Sequence, residues 1–336
     1  MNSQAQTVSV LGAGSWGTAL AMQLARAGHA TLLWSHHAEH VKQMLAAGSN
    51  EKFLPGITFD EKLKCRDDLS GCVKMANTIL IVVPSHAFRE TIRKIKPLLT
   101  AKHQLAWGTK GLEKGSRKLL HQIVREELDL VLPLAAISGP TFAHEVARNQ
   151  PGAITIASQN QDFAKQLATA LHSENFLTYT SEDIIGVEIG GAAKNVMAIA
   201  AGIADGMGFG TNTRAALITR GLNEIMRLGV ALGGHRDTFM GLSGLGDLVL
   251  TCSDDQSRNR RFGLALGQGH DLEQAKQEIA QVIEGIGTSE TLYQLAMDNN
   301  VDMPITEQVF KVLHQGLSPK QAVQTLMNRT PKPELC

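Results

Sequence analysis

The chain has 336 residues, 43% of them apolar and 19% charged, with Lys+Arg and Asp+Glu balanced at 32 each. That length exceeds the usual size of one hydrophobic core and predicts two domains, and the apolar content excludes a disordered chain. A formal net charge of zero provides no overall field for nucleic acid or an anionic membrane, so any anionic ligand must be held by a local site.

In chain order, the opening MNSQAQTVSV lacks the basic flank and apolar stretch of a secretory signal. Short runs rich in Val, Ile or Leu at 8–11, 31–34, 78–83, 104–107, 135–137 and 153–156 predict strands. Helical patterns at 15–27 and 86–99 lie between some of them. Strands alternating with helices imply β-α-β units and a mostly parallel sheet, a Rossmann-type α/β domain. After about residue 180 helical periodicity takes over, at 183–204, 213–232, 260–266, 272–281, 289–299 and 306–313. The glycine-rich segments GMGFGTNT and GLSGLGD read as joints between these helices. The expected division is therefore an α/β domain over 1–185 and an all-α domain over 186–336.

The run at 78–83 is far too short to cross a bilayer, which takes ~20 residues. The stretch 184–209 carries Glu188, Lys194 and Asp205 among Gly and Ala and is expected to be a buried helix pair. Cys65, Cys72, Cys252 and Cys336 form no C-x-x-C pair and no metal-ligand spacing with histidine, which predicts reduced thiols in a cytoplasmic protein that needs no metal. The tail NRTPKPELC, with two prolines and little to pack, is expected to be loose.

The strand at 8–11 runs straight into GAGSWG, a G-x-G-x-x-G turn. Gly12 permits the tight turn, Gly14 lets the backbone approach a pyrophosphate, and Gly17 lets helix and strand pack closely. The pyrophosphate would rest on the N–H groups that open the helix at Ser15 and Trp16. Glycines cluster in many turns, and it is the strand before and the helix after that make this one specific. At the end of the second strand the sequence is Leu33-Trp34-Ser35-His36-His37, with no acid until Glu39 to accept a ribose 2′-hydroxyl. His36 and His37 could face a 2′-phosphate, or be two solvent-facing histidines at a strand end. NADP is thus admitted alongside NAD, with a leaning toward NADPH.

Three further features suit chemistry on an anionic substrate. Lys194, in GGAAKNVMAIAAG, is a cation among small residues on a helix, where burial or a second cation would lower its pKa toward general acid–base use. A lone helix lysine is usually a surface residue; its Gly/Ala surroundings set this one apart. Lys110, in WGTKGLE, follows the strand at 104–107 and so falls at the carboxyl end of a parallel strand, where such sheets bind ligands. Ser257, Arg258 and Asn259 open a helical stretch with a good N-cap and donors beside the positive end of the helix dipole, an arrangement that suits a phosphate. The alternatives are an exposed turn lysine and an ordinary capped helix with a basic face.

Together the segments GAGSWGTALA, GTKGLE, SGPTFAHEVA, GGAAKNVMAIAAGIADG, GLSGLGDLVLTC, SRNRRFG, VIEGIGT and MPIT resemble the motif set of the bacterial NAD(P)-dependent glycerol-3-phosphate dehydrogenases. The likeness runs in order from about residue 8 to 310. It implies reversible reduction of dihydroxyacetone phosphate to sn-glycerol 3-phosphate, at the head of phospholipid synthesis. By the same resemblance Lys194 is the general acid/base, and Lys110 touches both substrate and nicotinamide. Gly139 and Thr141 would contact the substrate, and Ala143 would pack on the cofactor. Asp247 would accept from substrate hydroxyls and help hold Lys194. Ser257, Arg258 and Asn259 would hold the phosphate, with Arg258 also reaching the cofactor, while Val282 and Glu284 would line the cofactor cleft. The His36-His37 pair departs from relatives that carry an arginine there.

Two other readings stay open on the residues alone. One is a Rossmann dehydrogenase with a helical second domain that acts on a β-hydroxyacid. The other is a dinucleotide sensor that binds without turnover, against which stand Lys110, Lys194 and Asp247 together. Paired helices in the second domain would also suit a homodimer.

Overall fold

The computed structural model describes residues 6–330 and 333. Ten strands are found among them: β1 (Thr7–Leu11), β2 (Ala30–Trp34), β3 (Ser49–Asn50), β4 (Leu54–Thr58), β5 (Leu63–Arg66), β6 (Thr78–Ile81), β7 (Gln104–Trp107), β8 (Leu134–Ser138), β9 (Gly152–Ala157) and β10 (Phe176–Ser181). Eight form one sheet in the order β10-β9-β8-β7-β6-β1-β2-β5, and β3 pairs with β4 separately. Pairing is parallel throughout the large sheet except between β8 and β9. Val8, Val10, Leu11, Ile79, Leu80 and Ile81 are fully buried, as a central parallel sheet covered on both faces requires.

The six predicted strands are present, with ends shifted by at most two residues. β5 and β10 were not predicted, for a shared reason: each is an edge strand. In β5, Leu63 and Cys65 point inward while Lys64 and Arg66 are exposed, and β10 exposes Leu177 and Tyr179. Half-solvated edges dilute the apolar run that marks central strands.

The chain order reverses between β1 and β6, which opens a crevice at the carboxyl edge of the sheet. Gly12 follows β1 there, Ser35–His37 follow β2, Lys110 follows β7 and Gly139 follows β8. Trp34 O accepts from Gly12 N at 3.0 Å and Ile81 O from Gly108 N at 2.9 Å, so these loops lie side by side.

The helical half is built around one helix, Ile184–Gly206. The expected helix pair over 184–209 is a single 23-residue helix, because nothing within GGAAKNVMAIAAG breaks a helix that is buried all round. It is long and apolar enough to cross a membrane, yet 89% of its apolar window is buried inside the protein. Its far end meets the helix Arg258–Gly267 backbone to backbone. A Cβ on Gly202 would lie 2.0 Å from Arg260 O, and one on Gly263 would lie 2.1 Å from Ile199 O. GLSGLGD is likewise not a simple joint. Leu242–Gly246 form one π-type turn, with Gly246 N bonded to Gly241 O at 3.1 Å, and the helix Asp247–Ser253 follows at once. Such turns are rare and recur at functional sites. Of the tail expected to be loose, Pro331, Lys332 and the last three residues, Cys336 included, lie outside the described residues.

Candidate active site

The glycine turn has the shape a dinucleotide needs. Gly12 has φ of +123°, and a Cβ there would lie 2.3 Å from Val82 O. A Cβ on Gly17 would lie 1.9 Å from Gly12 O, so that helix Ser15–Arg26 can approach the turn only through glycine. Gly14 differs: nothing lies within 4 Å of its Cβ position, which leaves open space beside the backbone. The helix N-terminus has no side-chain cap, so its N–H groups are available to a phosphate. Trp16 Nε1 is buried without a hydrogen-bond partner, a donor that a bound group could satisfy. These residues fit a dinucleotide.

A cluster of three charged residues lies next to this turn. Asp247 is completely buried, and its carboxylate accepts from Lys110 Nζ at 2.8 Å through Oδ2 and from Lys194 Nζ through Oδ1. Ser138 Oγ is 3.4 Å from Oδ2. Lys110 also donates to Gly139 O at 3.3 Å, and its Nζ sits 5.8 Å from the centre of the Trp16 ring system. The loop after β7 supplies Lys110, the long helix supplies Lys194, and Asp247 opens the helix Asp247–Ser253 directly after the π-type turn.

Local sequence explains how the long helix gets close enough. A Cβ on Gly190 would lie 2.4 Å from Ser243 O, and one on Gly191 would lie 2.8 Å from Ser138 Oγ. The two glycines before Lys194 thus let its helix press against both the end of β8 and the π-type turn. Burial pushes the Lys194 ammonium down, Lys110 adds to the effect and Asp247 opposes it, leaving it at about 7. Burial alone would raise the Asp247 carboxyl, but Lys110 and Lys194 outweigh it and hold it below the usual carboxylate range. The result is a lysine able to give and take a proton near neutrality, beside a fixed carboxylate.

The other residues singled out from sequence sit around this centre in different ways. Thr141 Oγ1 donates to Gly139 O at 3.2 Å, and Ala143 opens the short helix Ala143–Ala147 beside the core that Trp16 also touches. Ser257 caps its helix by accepting from Arg260 N at 3.2 Å. Arg258 donates to Gln281 Oε1 at 3.2 Å, and burial lowers its pKa against the opposing charge of Glu284. Glu284 reaches across to the sheet domain, accepting from Ser85 Oγ at 2.8 Å, and Val282 nearby is exposed. Asn259 is more committed than its sequence context suggests: its carboxamide donates to Asn195 Oδ1 and accepts from Gly285 N, both at 2.9 Å. His36 and His37 are exposed at the end of β2.

Sequence reasoning passed over Ser138, Asn195 and Thr251. Thr251 Oγ1 donates to Asp247 O at 2.6 Å and lies 3.5 Å from Oδ1. Its spacing of four from Asp247 on a helix was a usable signal. Ser138 had none, because its approach to Asp247 depends on packing between distant segments. Among the described residues, no group of three or more His, Cys, Asp or Glu could hold a metal ion.

Comparison with known proteins bears directly on this arrangement. The family model for the NAD-dependent glycerol-3-phosphate dehydrogenase N-terminus matches residues 7–164, and that for the C-terminus matches 183–324. The chain belongs to this family. It is 52% identical over 335 residues to a glycerol-3-phosphate dehydrogenase (NAD(P)+) of Mannheimia succiniciproducens, covering 99% of this chain and 100% of that one. It is 53% identical over 327 residues to the protein of the same name from Coxiella burnetii, covering 97% and 98%. A crystal structure of glycerol-3-phosphate dehydrogenase from Coxiella burnetii superposes with a TM-score of 0.94 at 51% identity, covering 97% of this chain and 99% of that one.

Proposed function

We propose that this protein is an NAD(P)-dependent glycerol-3-phosphate dehydrogenase, which reversibly reduces dihydroxyacetone phosphate to sn-glycerol 3-phosphate for glycerophospholipid synthesis. The buried Lys110–Asp247–Lys194 cluster beside the glycine turn is the observation that carries the reading. When bound, the nicotinamide supplies the hydride. Lys194 gives its proton to the substrate oxygen as charge develops on it, and takes it back in the reverse direction. Lys110 stabilises that charge and touches both substrate and nicotinamide. Asp247 keeps both ammonium groups in place and accepts from substrate hydroxyls.

Gly12, Gly14, Ser15, Trp16 and Gly17 form the pyrophosphate seat, with Ala143, Val282 and Glu284 along the cofactor cleft. Gly139 and Thr141 line the substrate side. The phosphate end is held by Ser257, Arg258 and Asn259, and Arg258 reaches the cofactor as well. Its remoteness from the reacting carbon lets binding energy be used to orient the carbonyl. His36 and His37 face the adenosine ribose, and either nicotinamide cofactor is used.

The two domains divide at 185/186, a reading supported by the separate apolar cluster formed mainly by the helical half. Cytoplasmic residence fits the free, buried thiols of Cys65, Cys72 and Cys252. A homodimer through the helical half would cover exposed Val230 and Met240.

The test is oxidation of NADPH or NADH on addition of dihydroxyacetone phosphate, wild type beside Lys194→Ala. Rapid oxidation is expected for wild type alone, with a loss of roughly 10²–10⁴-fold in the variant, which should still bind cofactor. No oxidation with either cofactor, or activity on a β-hydroxyacid instead, would overturn the assignment.

A further inference from the structure

The end of β2 in this chain carries two histidines and no carboxylate. Gly12 N donates to Trp34 O at 3.0 Å, which fixes Ser35, His36 and His37 beside the dinucleotide turn. Ser35 Oγ in turn accepts from His37 N at 3.3 Å. The two histidine rings lie 3.7 Å apart between centroids, and the Trp34 ring is 6.2 Å from His36.

The elements packed around this pair carry further charged and titratable groups. The helix Ser85–Ile95 contributes Lys94 and Glu90, which pair with each other at 2.7 Å. Arg66 and Asp67 stand at the end of β5, where their carbonyls accept from Ser35 N and Trp34 Nε1. The following helix, Ala38–Ala47, brings Glu39 and His40. His40 is committed to Asn50 Oδ1 at 2.9 Å and to Ser35 Oγ at 3.5 Å. Partial desolvation against its neighbours lowers the pKa of His36, although its side chain is largely exposed, with His37 and Lys94 adding to the effect, Glu90 opposing it and His40 contributing a smaller part.

Two imidazoles this close repel one another when both are charged, unless an anion is placed against them. A phosphate monoester dianion is such an anion, and a 2′-hydroxyl is not. We propose that His36 and His37 recognise the 2′-phosphate of NADPH by taking up a proton as it binds, so that preference for NADPH over NADH rises as pH falls. An arginine at the same place would give a preference independent of pH, because it is always charged. The proposal rests on the cofactor placement given above and adds to it the chemistry of discrimination.

Direct binding tests it without turnover. Dissociation constants for NADPH and NADH are measured by calorimetry from pH 7 to 8.5, where the phosphate is already a dianion. Each is repeated in two buffers of different ionisation heat to count protons. For one linked proton the affinity ratio changes by at most about tenfold per pH unit, and a fall of about fivefold or more over this range is expected. Proton uptake should accompany NADPH and not NADH, and should vanish in His36→Asn/His37→Asn. His36→Arg should favour NADPH with a flat pH dependence. These side chains are exposed, so the variants should fold. A flat wild-type ratio, or uptake that persists in the double variant, overturns the proposal while leaving the cofactor site intact. Failure to bind either cofactor overturns the placement itself.

Discussion

Lys110, from the end of a sheet strand, donates to Asp247 Oδ2 at 2.8 Å, although Asp247 belongs to the helical half of the chain. This bond carries an electrostatic message to the third member of the cluster, since Lys110 is one of the groups that lowers the pKa of Lys194. Reduction needs Lys194 protonated, so its rate should fall as pH rises through about 7, while the reverse oxidation should gain over the same range. In Lys110→Met a cation is removed, the Lys194 pKa rises, and the falling limb should move to higher pH. Turnover should also drop, by about 10²-fold, as one stabilising charge is lost. The kcat–pH profile of the variant measures both effects, and an unmoved limb would separate Lys110 from the titration of Lys194.

The glycine turn makes opposite predictions for two of its members. Gly12→Ala would put a Cβ 2.3 Å from Val82 O at a φ of +123°, so strain and overpacking should together cost about 2–5 kcal/mol. Gly14→Ala meets nothing within 4 Å and should cost less than about 1 kcal/mol. Its methyl group would instead occupy the space beside the backbone that a pyrophosphate needs. Thermal unfolding and NADH titration together check this: Gly12→Ala should lose stability, and Gly14→Ala should lose cofactor affinity with Tm nearly unchanged. A Gly14→Ala protein that binds NADH normally would move the pyrophosphate elsewhere.

Arg258 supplies the charge at the proposed phosphate end. Its guanidinium bonds only Gln281 Oε1 among the hydrogen bonds described, which leaves donors for a phosphate. Charge-assisted bonds to an anion are worth about 1.5–3 kcal/mol, so Arg258→Ala should raise the KM for dihydroxyacetone phosphate about 10- to 100-fold. Steady-state kinetics at saturating cofactor measure it. An unchanged KM would point to a different phosphate site.

Much of this was legible in the sequence because the signals are local. The strand entering GAGSWG, the lysine after 104–107 and the N-cap at Ser257 each depend on a few consecutive residues. What could not be read depends on contacts between distant segments. Asp247 was expected to help hold Lys194, but only the fold reveals that Lys110 shares the same carboxylate. The commitment of Asn259 to Asn195 and Gly285 was hidden for the same reason. GLSGLGD looked like a linker because glycines usually interrupt helices, whereas here they permit a π-type turn packed tightly against Gly190.

Glu188 offers a control for the electrostatic argument. It is buried on the same helix as Lys194, and it joins that helix to the sheet domain by accepting from Trp107 Nε1 and His121 N, both at 3.0 Å. Its other oxygen pairs with His121 Nδ1 at 2.6 Å. Glu188→Gln keeps the shape but removes the charge and places an amide N–H2 in the position of one carboxylate oxygen. The expected loss is about 1–3 kcal/mol of stability, read as a lower Tm. Asp247 and Lys110, not Glu188, are the main charged groups that shift Lys194, so the falling limb of the reduction profile should stay close to its wild-type position. A lower Tm with an unmoved limb would mark Glu188 as a tie between the two halves. A limb displaced as far as in Lys110→Met would show that Lys194 is tuned by the whole buried charge set, not by its two immediate neighbours.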